Sequence, residues 1–223
     1  MHGADQNSYG LWPVVVLNVV LVLGFAVGFM KPREGRDWRA MGVFAAWIVA
    51  LFTEMYGIPL TIYGLTALLG RQYPVLDPFS HKNGHLLVVL AGGSQAVYIA
   101  VMMLTTIMFW TAIVLLERAW RQIHRAQGAL VTEGLYARVR HPQYSALFLL
   151  IVALLIQWPT LLTVAMAPVL IVAYVRLARR EEAGLLTRFG DAYRVYGRSV
   201  PAFVPCLRGA PRPALSVSGV RDG

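Results

Sequence analysis

Charge is what this chain has least of. Only 14% of its residues are Asp, Glu, Lys or Arg, against 57% hydrophobic ones. Soluble domains carry about 25% charged residues, so the shortage argues against an ordinary water-soluble globule and points to a bilayer. Acid is scarcer still, with 11 Asp and Glu against 20 Lys and Arg. Cysteine is almost absent: Cys206 has no second cysteine to bond, so no internal disulfide staples the fold. We read it as an incidental residue near the tail rather than a reactive thiol. A repeat of solenoid period is also missing. The N-terminus has neither a basic leader nor a clear small-residue cleavage site, so 11–30 is expected to be retained as a helix.

What the chain does have is apolar runs, and a mean hydropathy of +0.58. Five hydrophobic segments emerge, at 11–30, 40–69, 86–117, 144–158 and 160–176. The second is expected to break or kink at Gly57-Ile58-Pro59. The last two meet at Pro159 and fall short of the ~20 residues a span needs, which predicts a tight hairpin. The expected fold is an all-α integral membrane protein of about five transmembrane helices, with a short C-terminal helical hairpin and a cytoplasmic amphipathic helix. We divide it into 1–130 (three spans and a connecting loop), 131–205 (the hairpin and its polar clusters) and 206–223 (a Pro-, Gly-, Ser- and Arg-rich tail expected to be disordered).

The net charge of +9 does not indicate nucleic acid. Basic residues adjoin apolar runs, and no basic groove is interleaved with aromatics. With five spans and the N-terminus outside, 18 of the 20 Lys and Arg fall on the cytoplasmic side, leaving Arg71 and Lys82 outside. So lopsided a split follows the positive-inside rule and places the chain in a plasma or inner membrane, among anionic lipids, with its C-terminus cytoplasmic. Trp12, Trp38, Trp110, Trp120 and Trp158 lie near span ends, where interfacial anchors are expected. Trp47 lies inside the second segment. Nothing in the spans specifies an oligomeric state.

Two polar clusters flank the hairpin. Arg140-His141-Pro142-Gln143-Tyr144 stands at its entrance and Glu181-Glu182 follows its exit, so both should return to one membrane face. Pro142 fits the first turn of a helix and biases His141 toward an extended conformation at the helix entrance. That entrance favours an anionic or polar ligand group, and Arg140 adds a fixed positive charge. Snorkelling is the plainer account of Arg140 alone. Together with His141, Tyr144 and the glutamates it reads as a site. Upstream, the loop containing Gly134, Leu135 and Tyr136 suits a backbone that lines a ligand. On a helical wheel over 177–200, Leu185, Leu186, Phe189, Tyr193 and Tyr196 form one stripe with Glu182 in its middle. A carboxylate on a packed face needs a partner, which Arg140 or a cationic ligand can supply. The other outcome is that Gly184 and Gly190 break the helix and Glu182 meets water.

Glu-Gly-Leu-Tyr at 133–136, Arg-His-Pro-Gln-Tyr at 140–144, Glu181-Glu182, Phe189-Gly190, Tyr193, Tyr196 and Val200-Pro201 through Pro205 occur in order. This set resembles the isoprenylcysteine carboxyl methyltransferase and phospholipid methyltransferase superfamily of integral membrane enzymes. The resemblance covers about 132–205; the first three segments are compatible only in hydropathy. It implies a methyltransferase that uses S-adenosylmethionine on the cytoplasmic side and modifies a lipophilic acceptor from the bilayer. It assigns cofactor contacts to Gly134, Leu135, Tyr136, Arg140, His141, Pro142, Tyr144, Glu181 and Glu182. A departure is that the prenylcysteine branch places an arginine one turn before its glutamates, where this chain has Leu177 and Ala178, flanked by Arg176 and Arg179. A carboxylate, a thiol and a lipid amine all stay open as acceptors.

Arg140, Glu182 and Glu54 are the candidate catalytic residues. Glu54 is the only acidic residue deep in an expected span, so it either lines an acceptor pocket or proton path, or bonds Tyr56, Tyr63 or a backbone group near Pro59. The rival class is a non-catalytic scaffold, or a small transporter using Glu54, though paired repeat halves with broken helices are missing. His81 and His85 have i, i+4 spacing but only Asp77 as a third ligand, so no metal site is expected. Met102, Met103 and Met108 read as packing in the third span.

Overall fold

The computed structural model describes residues 9–30, 35–69 and 84–205. Cys206 and the tail, His81, Asp77, Arg71, Lys82 and the basic loop at 31–34 lie outside the described residues. The regular elements among the described residues are all helices, with no strand: α1 (Trp12–Met30), α2 (Gly35–Phe52), a π-helical turn (Thr53–Gly57), α3 (Leu60–Leu69), α4 (Leu86–Leu90), α5 (Gln95–Arg125), α6 (Pro142–Gln157), α7 (Leu161–Phe189) and α8 (Asp191–Ser199). By length and composition, Gln95–Arg125 and Leu161–Phe189 can cross a membrane. The pair Met41–Gly57 and Leu60–Leu68, bent by 71°, makes a third candidate if it is one span. Trp12–Gly24 and Pro142–Gln157 are shorter apolar helices.

The bend between α2 and α3 follows from Pro59, which has no N–H to continue a helix. The Ile58 N–H closes a wide turn onto the Thr53 carbonyl at 2.8 Å, the i→i+5 pattern of a π-turn. Glu54, buried in that turn, accepts the backbone N–H of Thr61 at 2.8 Å. Its carboxylate therefore caps the first turn of α3, where negative charge is favoured. The Thr61 hydroxyl in turn accepts the Leu161 N–H at 2.8 Å, tying the bend to the start of α7.

The hairpin is built from local signals. Pro142 opens α6 with His141 as its N-cap. Trp158-Pro159 ends it, and Thr160 and Thr163 form a reciprocal capping box at the head of α7. α7 then runs unbroken through the glutamates to Phe189. Gly184 does not interrupt it, whereas Gly190, at φ +54, ends it and starts α8. The stripe read over 177–200 is thus divided between two helices, with Leu186 exposed and Tyr193 and Tyr196 buried on α8.

The third segment also differs from its expected bounds. Gly92 and Gly93 hold positive φ and separate the short α4 from α5, whose N-cap is Ser94. α5 continues past Glu117 to Arg125 and packs along α6, while α2 packs on α7 and α1 on α2.

The core lies where α2, α6 and α7 meet. Phe44, Trp47, Ile48 and Leu51 face Tyr144, Leu147 and Ile151 of α6 and Leu170, Tyr174 and Ala178 of α7. Trp47 is fully buried and its indole N–H donates to the Thr163 carbonyl at 3.0 Å. Trp158 is buried in the same core, correcting its reading as an interfacial anchor. Gly84 approaches its indole so closely that an added Cβ would lie 1.9 Å from a ring carbon. Outward faces carry Leu17, Val20 and Leu21 on α1, Leu104, Ile107 and Trp110 on α5, and Val169 and Val172 on α7. Met103 is on that exposed side, so it does not pack inward. Rows of exposed aliphatics on three helices suit a hydrocarbon solvent.

Candidate functional site

The site begins with a stretch of extended backbone. Arg140 and His141 precede Pro142 and cannot join the helix comfortably. Their N–H groups donate to the carbonyls of Pro201 and Ala202 at 2.8 and 3.0 Å, so the chain leaving α8 lies beside the entrance of α6. The side chains then turn toward α7. Arg140 Nη1 lies 2.7 Å from Glu182 Oε1, and His141 Nε2 lies 2.9 Å from the same oxygen. The Tyr144 hydroxyl donates to Glu181 Oε1 at 2.6 Å, and His141 Nδ1 sits 3.8 Å from Glu181 Oε2. Two polar clusters separated by the whole hairpin are thus brought into direct contact.

Burial decides how much that contact is worth. The Arg140 and Glu182 side chains are 19% and 23% exposed, well short of the open surface where ion pairs contribute about 0–1 kcal/mol. The Arg140 Nε is buried without a hydrogen-bond partner, a deficit that costs about 1–3 kcal/mol or more for a charged group unless a ligand relieves it.

His141 is held below its ordinary pKa of 6.5, first by burial and also by Arg140; Glu182 pulls the other way through its hydrogen bond and charge. The neutral ring then donates from Nε2. Burial pushes the Tyr136 and Tyr196 phenols up, aided by their mutual repulsion for Tyr136 and by Tyr193 for Tyr196. Both stay protonated, and Tyr196 donates to the Tyr136 carbonyl at 2.8 Å.

The lowered His141 pKa has a consequence for stability. As pH falls below about 6.5, the unfolded chain takes up this proton before the folded one. The His141 contribution should be complete above that pH and decline below it, down to the lowered folded value. Melting in detergent between pH 7.5 and 5 is expected to show this slope in the wild type and a flatter one in His141→Asn. Identical slopes would exclude the assignment.

Behind Arg140 lies a cavity of about 230 Å³ lined by Tyr136, Arg140, Leu185, Arg188, Phe189, Tyr193 and Tyr196 among others. It joins the loop before α6 to the end of α7 and to α8. Gly134 takes φ +61, a conformation favouring glycine, and the Leu135 N–H donates to Gln122 Oε1 at 3.3 Å, docking the loop on α5. Of that loop's candidates only Tyr136 reaches the cavity; Gly134 and Leu135 shape the loop. Pro142 is buried at the head of α6. Residue-level reading singled out none of Ser145, Arg188 and Phe203. Arg188 looked like one more cytoplasmic charge, and no periodicity connects Phe203 to His141.

Glu54 is not brought to this cluster. It lines a space of about 10 Å³ with Pro59, Thr61, Trp158, Pro159 and Thr160, room for about one water. This is the opposite end of α6, about 24 Å away by helical rise. His85 is buried, with Nδ1 2.8 Å from the Gln157 carbonyl and its ring edge-on to Trp158 and Tyr98. Among the described residues no group of three His, Cys, Asp or Glu could hold a metal ion. A separate apolar groove of about 510 Å³ opens between α1, α2, α5 and α6, with Asn18, Thr106 and Gln157 as its polar points.

With this geometry in place, the comparisons fall on the same region. Residues 97–187, from α5 through the glutamate pair, match the isoprenylcysteine carboxyl methyltransferase (ICMT) family. A protein-S-isoprenylcysteine O-methyltransferase of Schizosaccharomyces pombe (strain 972 / ATCC 24843) is 34% identical over 79 residues, 35% of this chain and 34% of that protein. The chain thus matches about a third of the length of its curated relative. No solved structure matches. The likeness read from the ordered motifs is therefore a likeness to this family.

Proposed function

We propose that this protein is an integral membrane methyltransferase that uses S-adenosylmethionine and methylates a lipophilic acceptor at the cytoplasmic face. The observation that carries the reading is the Arg140–Glu182–His141 contact with its Tyr144–Glu181 neighbour, lying inside the region of family likeness. The donor set fits the cofactor. An amino-acid head is a zwitterion, and the site offers a guanidinium and an imidazole for a carboxylate and two carboxylates for an ammonium or ribose hydroxyls. The partnerless Arg140 Nε and the tyrosine-lined cavity behind it suit an anionic group and an adenine ring.

S-adenosylmethionine, when bound, supplies a methyl group already activated on sulfur. The chain's own task is then alignment and exclusion of water rather than provision of a strong base. Arg140 and His141 hold the carboxylate end, Glu182 and Glu181 the cationic or hydroxyl groups, and Tyr136 with the α8 tyrosines covers the ring. The apolar groove between α1, α2, α5 and α6 supports a lipophilic acceptor entering from the bilayer. The acceptor atom is a carboxylate, a thiol or a lipid amine; Arg176 and Arg179, flanking Leu177 and Ala178, are exposed and turned to solvent.

The topology belongs to the same proposal: five spans, N-terminus outside, with the end of α7 and α8 forming the cytoplasmic amphipathic part. α1, the bent α2–α3 pair, α5, α6 and α7 supply these spans. The transport alternative is weakened because the Glu54 carboxylate is already engaged in capping α3.

Calorimetry or thermal shift with S-adenosylmethionine on purified protein in detergent tests the reading. A ligand at a hundred times its Kd adds about 2.7 kcal/mol of stability, a readily measured upward shift. Labelled-methyl transfer into a membrane lipid extract would then identify the product. Absence of any stabilisation at millimolar cofactor would overturn the proposal.

A further inference from the structure

We infer that the segment 200–205 is a working part of the site, and that Ser145 and Phe203 are positioning residues which hold the His141 imidazole for its ligand. The inference rests on the methyltransferase reading and extends it to residues in neither motif cluster.

The His141 backbone, at φ −124 and ψ 63, is not helical, and no side chain caps α6. What fixes the backbone there is the pair of bonds from the Arg140 and His141 N–H groups to Pro201 and Ala202. The Ser145 hydroxyl adds a third tie, donating to the Phe203 carbonyl at 2.6 Å. The Phe203 ring stacks on the imidazole with centroids 5.6 Å apart and planes 28° apart, and is braced by Phe148 at 5.5 Å. Tyr144 packs obliquely against the imidazole at 5.7 Å. Ring rotation is thus opposed by two aromatic neighbours while Nε2 is held by Glu182.

The segment's function is not simply to fill the core. Phe203 is half-buried, and Val204 and Pro205 are exposed. Its carbonyls take up two N–H groups at the helix entrance that would otherwise be free to bind an anion, so ligand recognition there passes to the Arg140 and His141 side chains. The groups facing the imidazole are Arg140 and Tyr144 from the entrance of α6 and Glu181 and Glu182 from α7, with Tyr193 of α8 beside Arg140. The segment itself brings no charge, only a ring that keeps water off the histidine.

The test compares full-length wild type, Ser145→Ala, Ser145→Thr and Phe203→Leu in nanodiscs, with two readouts: S-adenosylmethionine affinity and the His141 titration followed by NMR on histidine-labelled protein. Ser145→Ala is expected to weaken binding about fivefold, the worth of one ordinary hydrogen bond. Ser145→Thr, which keeps the hydroxyl, should bind like the wild type. Phe203→Leu is expected to cost about threefold to tenfold, the worth of an aromatic pair, and to move the His141 midpoint up toward its ordinary value as water reaches the ring. Lower melting temperatures with affinity and His141 titration unchanged would show a merely structural role and overturn the inference. Failure of the wild type itself to bind the cofactor is a separate result, which removes the methyltransferase reading and this extension with it.

Discussion

On the proposed reading, Glu182→Ala should weaken S-adenosylmethionine binding by roughly 30-fold or more. Glu182 is the shared acceptor for Arg140 and His141, so its removal leaves a shielded guanidinium without a carboxylate and an imidazole without its fixed orientation. Truncating one member of a buried, hydrogen-bonded charge pair costs about 2–5 kcal/mol in binding, or roughly 30-fold to several thousandfold in Kd. Partial exposure of the pair favours the lower half of that range. Glu182→Gln provides the control for folding, because it keeps shape and hydrogen bonding while losing charge. Titration calorimetry on both variants decides the matter: wild-type affinity in Glu182→Ala would remove Glu182 from the site.

The second large effect is on the scaffold. Trp47→Ala is expected to lower stability by about 3 kcal/mol. Aromatic-to-alanine changes in soluble cores cost about 3–5 kcal/mol, from lost transfer and a residual cavity. Between membrane helices the transfer part is small, because lipid is as apolar as the protein interior. The cavity among Phe44, Ile48, Ile151 and Leu170 remains, as does the lost indole bond to the Thr163 carbonyl. Thermal unfolding in detergent would report it. A change below about 1 kcal/mol would mean that α2 and α7 close over the gap, contrary to the rigid packing of protein interiors.

What the sequence made legible was mostly local. Pro142 marked the head of α6, Pro159 the hairpin turn and Gly57-Ile58-Pro59 the bend, because proline acts on its own backbone whatever surrounds it. The stripe around Glu182 was legible only as far as Phe189, because the periodicity assumes one helix and Gly190 divides it into two. The contacts were harder. That Glu54 caps Thr61 depends on a 71° bend that redirects α3, and hydropathy carries no angle. Trp158 reads as an interfacial anchor from its position near a span end, but Gly84 and His85 cover it from a distant part of the chain. The break at Gly92-Gly93 was hidden inside a continuous apolar run, where hydropathy registers composition and not φ. The segment 200–205 was quoted among the ordered motifs, but its contact with Arg140 and His141 was not foreseen: those bonds join backbones about sixty residues apart, and backbone atoms have no sequence signature.

α7 is one continuous helix from the capping box at Thr160 to Phe189, with Pro168 inside it, and this gives the polar mouth a long arm. Glu182 stands about 32 Å along that helix from Leu161 at 1.5 Å per residue. A swing of about 5° about the proline-turn end would carry its carboxylate about 3 Å, enough to part it from the guanidinium across the cleft. The Trp47 peg near the pivot and the packing of α2 and α6 along the shaft therefore set the angular tolerance of the Arg140–Glu182 contact at the far tip.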